Sequence, residues 1–344
     1  MTRTGNVLCT AVWLLFLAGC GGSSKPAPVA DDVKPAANDG GLRIAMIAKA
    51  SANPVFSSAH QGALDAAKEI GEKQGLVIHV EILTPPSEDG QVQAQRIAQA
   101  VNQGAQAVLI SCSDAGKVTG AINDAVGRGV QVMTFDSDAP ESKRFAYYGV
   151  DDIETGQQVM KELAAQLGGK GKIAILAGNQ NAPNLQKRAQ GVREEAKNFP
   201  GIEIVDTYYH EETPQEAAKK VTSVMQAHPD LAGWAMIGGW ALLNPSLLGD
   251  LNPERIKVVS VDALPAMLPY VERGIAPVLL AQPTYKWGYE SVQIIVEKVH
   301  HKKEVPALNR MELVRVTKEN LGAWAQQLKD WGFTDVPPAL LKAP

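Results

Sequence analysis

The chain has 344 residues, with 33 Lys+Arg against 37 Asp+Glu for a formal net charge of -4, 45% hydrophobic residues and three cysteines. No long basic run appears, which argues against nucleic acid as a partner. Only Cys112 lies in the part of the chain with a folded composition, so no internal disulfide, no thiolate-paired metal site and no cofactor are expected.

After a thin positive start at Arg3, residues Val7 to Gly19 are almost wholly apolar. That is the length of a signal-peptide core and too short to span a bilayer as a helix. Leu17-Ala18-Gly19-Cys20 ends the run and resembles the lipobox of bacterial lipoproteins, which implies a signal peptide over 1–19 and lipid on Cys20. Residues 20–41, opening Cys-Gly-Gly-Ser-Ser-Lys-Pro, cannot build a packed core and read as a flexible tether. The expected mature protein is a globule lipid-anchored to a membrane, in the periplasm or at the cell surface.

From Leu42 onward, short aliphatic runs alternate with amphipathic stretches. Strands are predicted over 43–48, 77–83, 107–111, 130–135, 145–149, 172–177, 202–208, 233–237, 257–261 and 277–281. A helix over 55–73 carries Phe56, Ala59, Ala63, Ala67 and Ile70 on one face, and Asn53-Pro54 supplies a capping side chain and a proline at its first turn. This βαβ rhythm, with mostly unalternating apolar strands, argues for parallel sheets covered on both faces. About three hundred residues favour two domains over one. The rhythm breaks at 137–148, so the fold class is α/β, two doubly wound parallel-sheet lobes.

In such sheets ligands sit outside the carboxyl ends of the strands. After the first strand come Lys49, Ser51 and Asn53, then Phe56; after the fourth come Asp136, Ser137 and Asp138. In the second half the strand ends carry Asn179, Asn181 and Asn184, then Tyr209, His210 and Glu212, then Gly238, Gly239 and Trp240, then Asp262, then Gln282. Carboxylates and amides pair with hydroxyls, and ring faces cover C–H surfaces, so this set suits a small polyhydroxylated molecule. Blander roles stand beside these. Asn53 serves as a helix cap, Phe56 fits a core stripe, and Lys49 reads equally as a solvated charge. Trp234, Trp287, Trp324 and Trp331 read as packing, and His210 as a surface histidine.

Several stretches in order resemble the ribose-binding type of periplasmic solute receptor, which shares its fold with lactose-type repressors. They are Ala52-Asn53-Pro54-Val55-Phe56, Val132 to Pro140 around Asp136, Tyr147-Tyr148-Gly149-Val150-Asp151-Asp152, Arg188-Ala189-Gln190-Gly191, Val258 to Asp262, and Leu280-Ala281-Gln282-Pro283. The resemblance implies a periplasmic binding protein type I fold with a three-strand hinge. Its first lobe would be 42–150 plus 283–308, and its second 151–282 plus 309–344. It implies ligand contacts from Lys49, Asn53, Phe56, Asp136, Ser137, Asn184, Glu212, Trp240, Asp262 and Gln282. It also implies a monomer that hands a sugar, polyol or sugar-like signal to ABC permease subunits. Lys49 stands where the ribose receptors carry serine, Ser137 where they carry arginine, and Gly238 where they carry asparagine. With Asp136-Ser137-Asp138 and Pro269 to Gly274, these departures resemble the rhamnose and autoinducer receptors. Two alternatives remain at this stage: a sensor acting through a membrane signalling receptor, and a sugar-acting enzyme using Asp136 and Asp262. The enzyme reading is disfavoured because no nucleophile–base arrangement accompanies the carboxylates.

Overall fold

The computed structural model describes residues 40–342, so the expected signal peptide, Cys20 and nearly all of the tether lie outside the described residues. The first half runs β1 (Leu42–Ile47), α1 (Pro54–Gln74), β2 (Ile78–Ile82), α2 (Gly90–Asn102), β3 (Ala107–Ile110), α3 (Ala115–Gly127), β4 (Gln131–Phe135) and β5 (Ala146–Gly149). It continues with α4 (Asp152–Leu167), β6 (Lys170–Ala177), α5 (Pro183–Ala196), β7 (Gly201–Tyr209), α6 (Pro214–Ala227), β8 (Leu231–Met236) and β9 (Lys257–Val261). The last part holds α7 (Leu268–Glu272), β10 (Val278–Ala281), α8 (Thr284–Val299), β11 (Leu308–Arg310), β12 (Val314–Val316) and α9 (Leu321–Asp330). No helix among the described residues is long and apolar enough to cross a membrane.

Two six-stranded sheets form, ordered β11-β5-β4-β3-β1-β2 and β12-β10-β9-β8-β6-β7. The two orders are the same winding used twice. β3 (Ala-Val-Leu-Ile) and β10 (Val-Leu-Leu-Ala) are buried along their whole length, as strands covered by helices on both faces must be. β2 and β7, at corresponding sheet edges, expose much of their length instead. The strand pairs are parallel except β10 with β12, which is antiparallel. That departs from the all-parallel expectation, and neither β11 nor β12 was expected as a strand.

Each sheet is flanked by a pair of helices whose backbones touch at glycines. In the first lobe, a Cβ added to Gly62 of α1 would lie 2.0 Å from Tyr285 O, and one added to Gly288 of α8 would lie 1.9 Å from Ala59 O. In the second, Gly156 of α4 faces Arg188 O and Gly191 of α5 faces Ile153 O, both at 2.0 Å. The predicted stripe of α1 is buried at Phe56, Ala59, Ala63, Ala67 and Ile70, and Gly75 ends the helix in the left-handed conformation. Three segments cross between the lobes: β5 to α4, β10 to α8, and β11 to β12. The third crossing falls after Arg310, because β11 pairs with β5 through Arg310.

Candidate functional site

The carboxyl ends of β1 and β4 meet those of β6, β8 and β9 across the gap between the lobes. Asp136 follows β4 and Asp262 follows β9, corresponding positions in the two sheets. Each keeps its amide in the ladder: Asp136 N donates to Tyr148 O at 3.1 Å and Asp262 N to Leu280 O at 2.9 Å. Both then turn into the left-handed region, φ +55° and +72°. This conformation costs an L-residue about 1–3 kcal/mol and is concentrated at functional sites. Both carboxylates are nearly buried.

Asp136 accepts from Ser111 Oγ at 2.7 Å and from Asn184 Nδ2 at 3.1 Å. Lys49 Nζ lies 3.9 Å from Asp136 Oδ2, the oxygen that accepts from Ser111, and donates to Asn184 Oδ1 at 3.1 Å. Burial pulls the Lys49 ammonium down, but Asp136 chiefly, with Glu212 and Glu88, returns it above its ordinary range. Lys49 is therefore a buried cation in the site and not a solvated charge.

Arg188 is the hub. Its Nε donates to Asp152 at 2.9 Å and its two terminal nitrogens to Gln282 Oε1 at 3.0 Å and Ile237 O at 3.3 Å, while it sits 3.9 Å from Asp136. Gln282 passes the chain on, donating through Nε2 to Asp262 at 2.8 Å, and Gly239 N donates to the other Asp262 oxygen at 3.3 Å. Burial raises the Asp152 carboxyl to about 6 against the pull of Arg188, and burial likewise raises Asp262. A fixed guanidinium with planar donors suits this role, since it cannot lose its charge.

The apolar walls come from opposite lobes. Phe56 and Trp287 stack at 6.0 Å between centroids and meet Phe135 behind them. Trp240 lies over two glycines: a Cβ on Gly238 would be 2.3 Å from its ring, and one on Gly178 2.8 Å. His210 meets the Trp240 ring edge-on at 5.2 Å, and its Nδ1 lies 2.6 Å from Glu211 O, which assigns the proton to Nδ1. Glu212 accepts from Asn179 N at 3.1 Å. Its carboxyl is pushed up to about 7, first by burial, with Lys49 opposing.

One cavity is lined by Lys49, Asn53, Phe56, Asp136, Asn184, Glu212, Trp240, Asp262 and Gln282 together. Asn53 both lines it and caps α1, accepting from Val55 N at 3.3 Å. Ser137 is the exception. The left-handed turn at Asp136 carries the chain back toward β3, where Ser137 O accepts from Cys112 N at 2.9 Å, and its Oγ is buried without a partner among the described residues. Sequence reasoning left Arg188, Ser111, Trp287 and the lining glycines Gly238 and Gly239 out of the site. Arg188 had a signal, since it follows Asn184 by one helical turn and so shares its face. Trp287, read as packing, is core on one side and cavity wall on the other.

The periplasmic binding protein domain family matches this chain over residues 44–303. A D-apiose import binding protein of Actinobacillus succinogenes is 26% identical over 57% of this chain and 61% of its own. The ribose import binding protein of Bacillus subtilis is 25% identical over 52% of this chain and 56% of its own. The chain thus spans about three fifths of the length of the curated relatives it matches. A solute-binding protein of an ABC transporter from Burkholderia graminis, solved with D-arabinose, superposes with a TM-score of 0.76 at 24% identity over 81% of this chain and 96% of its own.

Proposed function

We propose that this chain, which belongs to the periplasmic binding protein domain family, is a receptor that binds a neutral sugar or polyol between its lobes and delivers it to an ABC importer. The observation that carries this reading is the convergence in one cavity of Asp136, Asp262, Asn184, Gln282, Lys49 and Arg188 between the Trp240 face and the Phe56–Trp287 face. Carboxylates and amides from both lobes bind hydroxyls, and the rings cover the C–H surfaces between them. With Glu212 the cavity lining holds three carboxyl groups against the two cations, which favours a neutral ligand over a sugar acid or phosphate.

The relatives are named for apiose and ribose, and the superposed structure holds arabinose, so a pentose or pentitol is the first ligand class to try. Lys49, where ribose receptors resembled earlier carry serine, makes ribose itself a poor first choice. In this reading the lobes are those expected, 42–150 with 283–308 and 151–282 with 309–344, except that the pairing of β11 with β5 moves the last boundary past Arg310. Lipid on Cys20 tethers the monomer outside the cytoplasmic membrane, and no catalysis takes place. Calorimetric titration of the purified protein with pentoses, pentitols and hexoses tests the reading. One neutral member should bind with a stoichiometry of one. A protein that binds none of them, or prefers the sugar acids, is not this receptor.

A further inference from the structure

A cleft of about 730 Å³ shares Lys49, Asn53 and Glu212 with the site, but the cavity at Asp136, Asn184 and Asp262 measures only about 30 Å³, far below the roughly 300–1,000 Å³ of ordinary small-molecule sites. What fills it is the protein's own polar side chains, and Asn184 is central. It sits in the first turn of α5, in the second lobe, and its carboxamide reaches the first lobe at both ends. Oδ1 accepts from Lys49 Nζ and Nδ2 donates to Asp136 Oδ1, each at 3.1 Å. The same Oδ1 accepts from its neighbour Leu185 N at 3.0 Å, which fixes the orientation of the amide. Asn184, Lys49 and Asp136 are all nearly buried.

We propose that Asn184 is a latch that holds the lobes together without ligand by saturating Lys49 and Asp136, the two groups a ligand needs. One amide presents an acceptor to the ammonium and a donor to the carboxylate, as one carbon-bound hydroxyl pair of a polyol would. Ligand therefore enters by exchange: the amide is displaced from both partners, and the ligand supplies the bridge in its place. Such a contact lowers apparent affinity by the fraction of molecules latched, and in return the free protein keeps its charged groups out of water.

The inference rests on the two-lobe receptor reading, but its test uses no sugar. Small-angle X-ray scattering of the ligand-free purified protein is compared with that of Asn184→Ala and Asn184→Asp. The second variant is isosteric and places a carboxylate against Asp136, so it covers the case in which the alanine variant folds poorly. The parent should be compact and at least one folded variant should shift to a larger radius of gyration. Identical radii in the parent and both folded variants would overturn the latch, as would a parent already as expanded as Asn184→Ala. A parent that binds no sugar in the calorimetric titration, while Asn184→Ala opens in scattering, would sink the receptor reading and leave the latch standing.

Discussion

At Asp136 and Asp262 backbone strain and the proposed ligand contacts fall on the same residue, and substitution separates them. Alanine removes the carboxylate and keeps the left-handed strain; glycine removes both. Asp136→Gly and Asp262→Gly should each be about 1 kcal/mol more stable than the matching alanine variant, and all four should bind the cognate sugar at least about tenfold more weakly, since a charge-assisted hydrogen bond is worth about 1.5–3 kcal/mol. Urea denaturation and calorimetric titration read the two effects, and wild-type affinity in both alanine variants would place the site elsewhere. Glu212 gives a pH signature. Its folded carboxyl, at about 7 against an ordinary 4.5, holds its proton longer than in the unfolded chain. The folded state therefore binds more protons between those values, and stability falls as pH rises from 4.5 through 7. Glu212→Gln should gain about 1–3 kcal/mol on the parent at pH 8 and almost nothing at pH 4. An equal gain at both pH values would show that titration is not its cause.

Between elements, the glycine contacts of α1 with α8 and α4 with α5 set how near each helix pair can come. A methyl at Gly62 or Gly156 has a carbonyl oxygen 2.0 Å away, so the helices must separate. Overpacking of this kind costs about 1–3 kcal/mol. Gly156→Ala pushes on Arg188 O and so moves the turn of α5 that carries Asn184 and Arg188, and Gly62→Ala pushes on Tyr285 O, between the cavity-lining Gln282 and Trp287. Both variants should lose stability in urea and both should lose sugar affinity; parent-like binding by the two destabilised variants would remove the link between these helix contacts and the site. The inner strands, such as 107–111 and 277–281, were legible because a strand buried on both faces is uniformly apolar. β11 and β12 were not, since a three-residue strand such as Leu-Asn-Arg carries no periodicity and gains its identity only from its partner. Strand-end reading located the lining of the cavity for the same reason that it missed Ser111 and Arg188. It finds residues beyond strand ends, while Ser111 was counted inside the strand 107–111 and Arg188 lies on a helix, and both reach the site through Asp136 and Gln282, partners distant in sequence.

For the molecule as a whole, the three crossings are joined by a fourth connection that no strand pattern announces. Tyr289, Tyr285, Trp331 and Trp324 form a continuous series of ring contacts, with Tyr285 and Trp331 parallel at 5.7 Å and Trp331 edge-on to Trp324 at 5.6 Å. The tyrosines belong to α8 and donate to Asp65 and Glu69 of α1, in the first lobe. Trp324 belongs to α9 and donates to Ala263 O at 2.8 Å, in the second. The rings therefore couple the lobes beside the crossing at Gln282. Aromatic contacts of this kind are worth about 0.5–1.5 kcal/mol each beyond their buried area, enough to make two lobes melt together but not enough to decide whether either folds. Trp331→Ala removes the interlobe ring contact with Tyr285, together with the Trp324 contact behind it, and leaves the sheets untouched. Differential scanning calorimetry of the parent should show one transition whose calorimetric and van't Hoff enthalpies agree. In Trp331→Ala the calorimetric enthalpy should exceed the van't Hoff value as the lobes melt in separate steps. A variant that melts at a lower temperature but still in one step with matched enthalpies would show that the strand crossings alone couple the lobes.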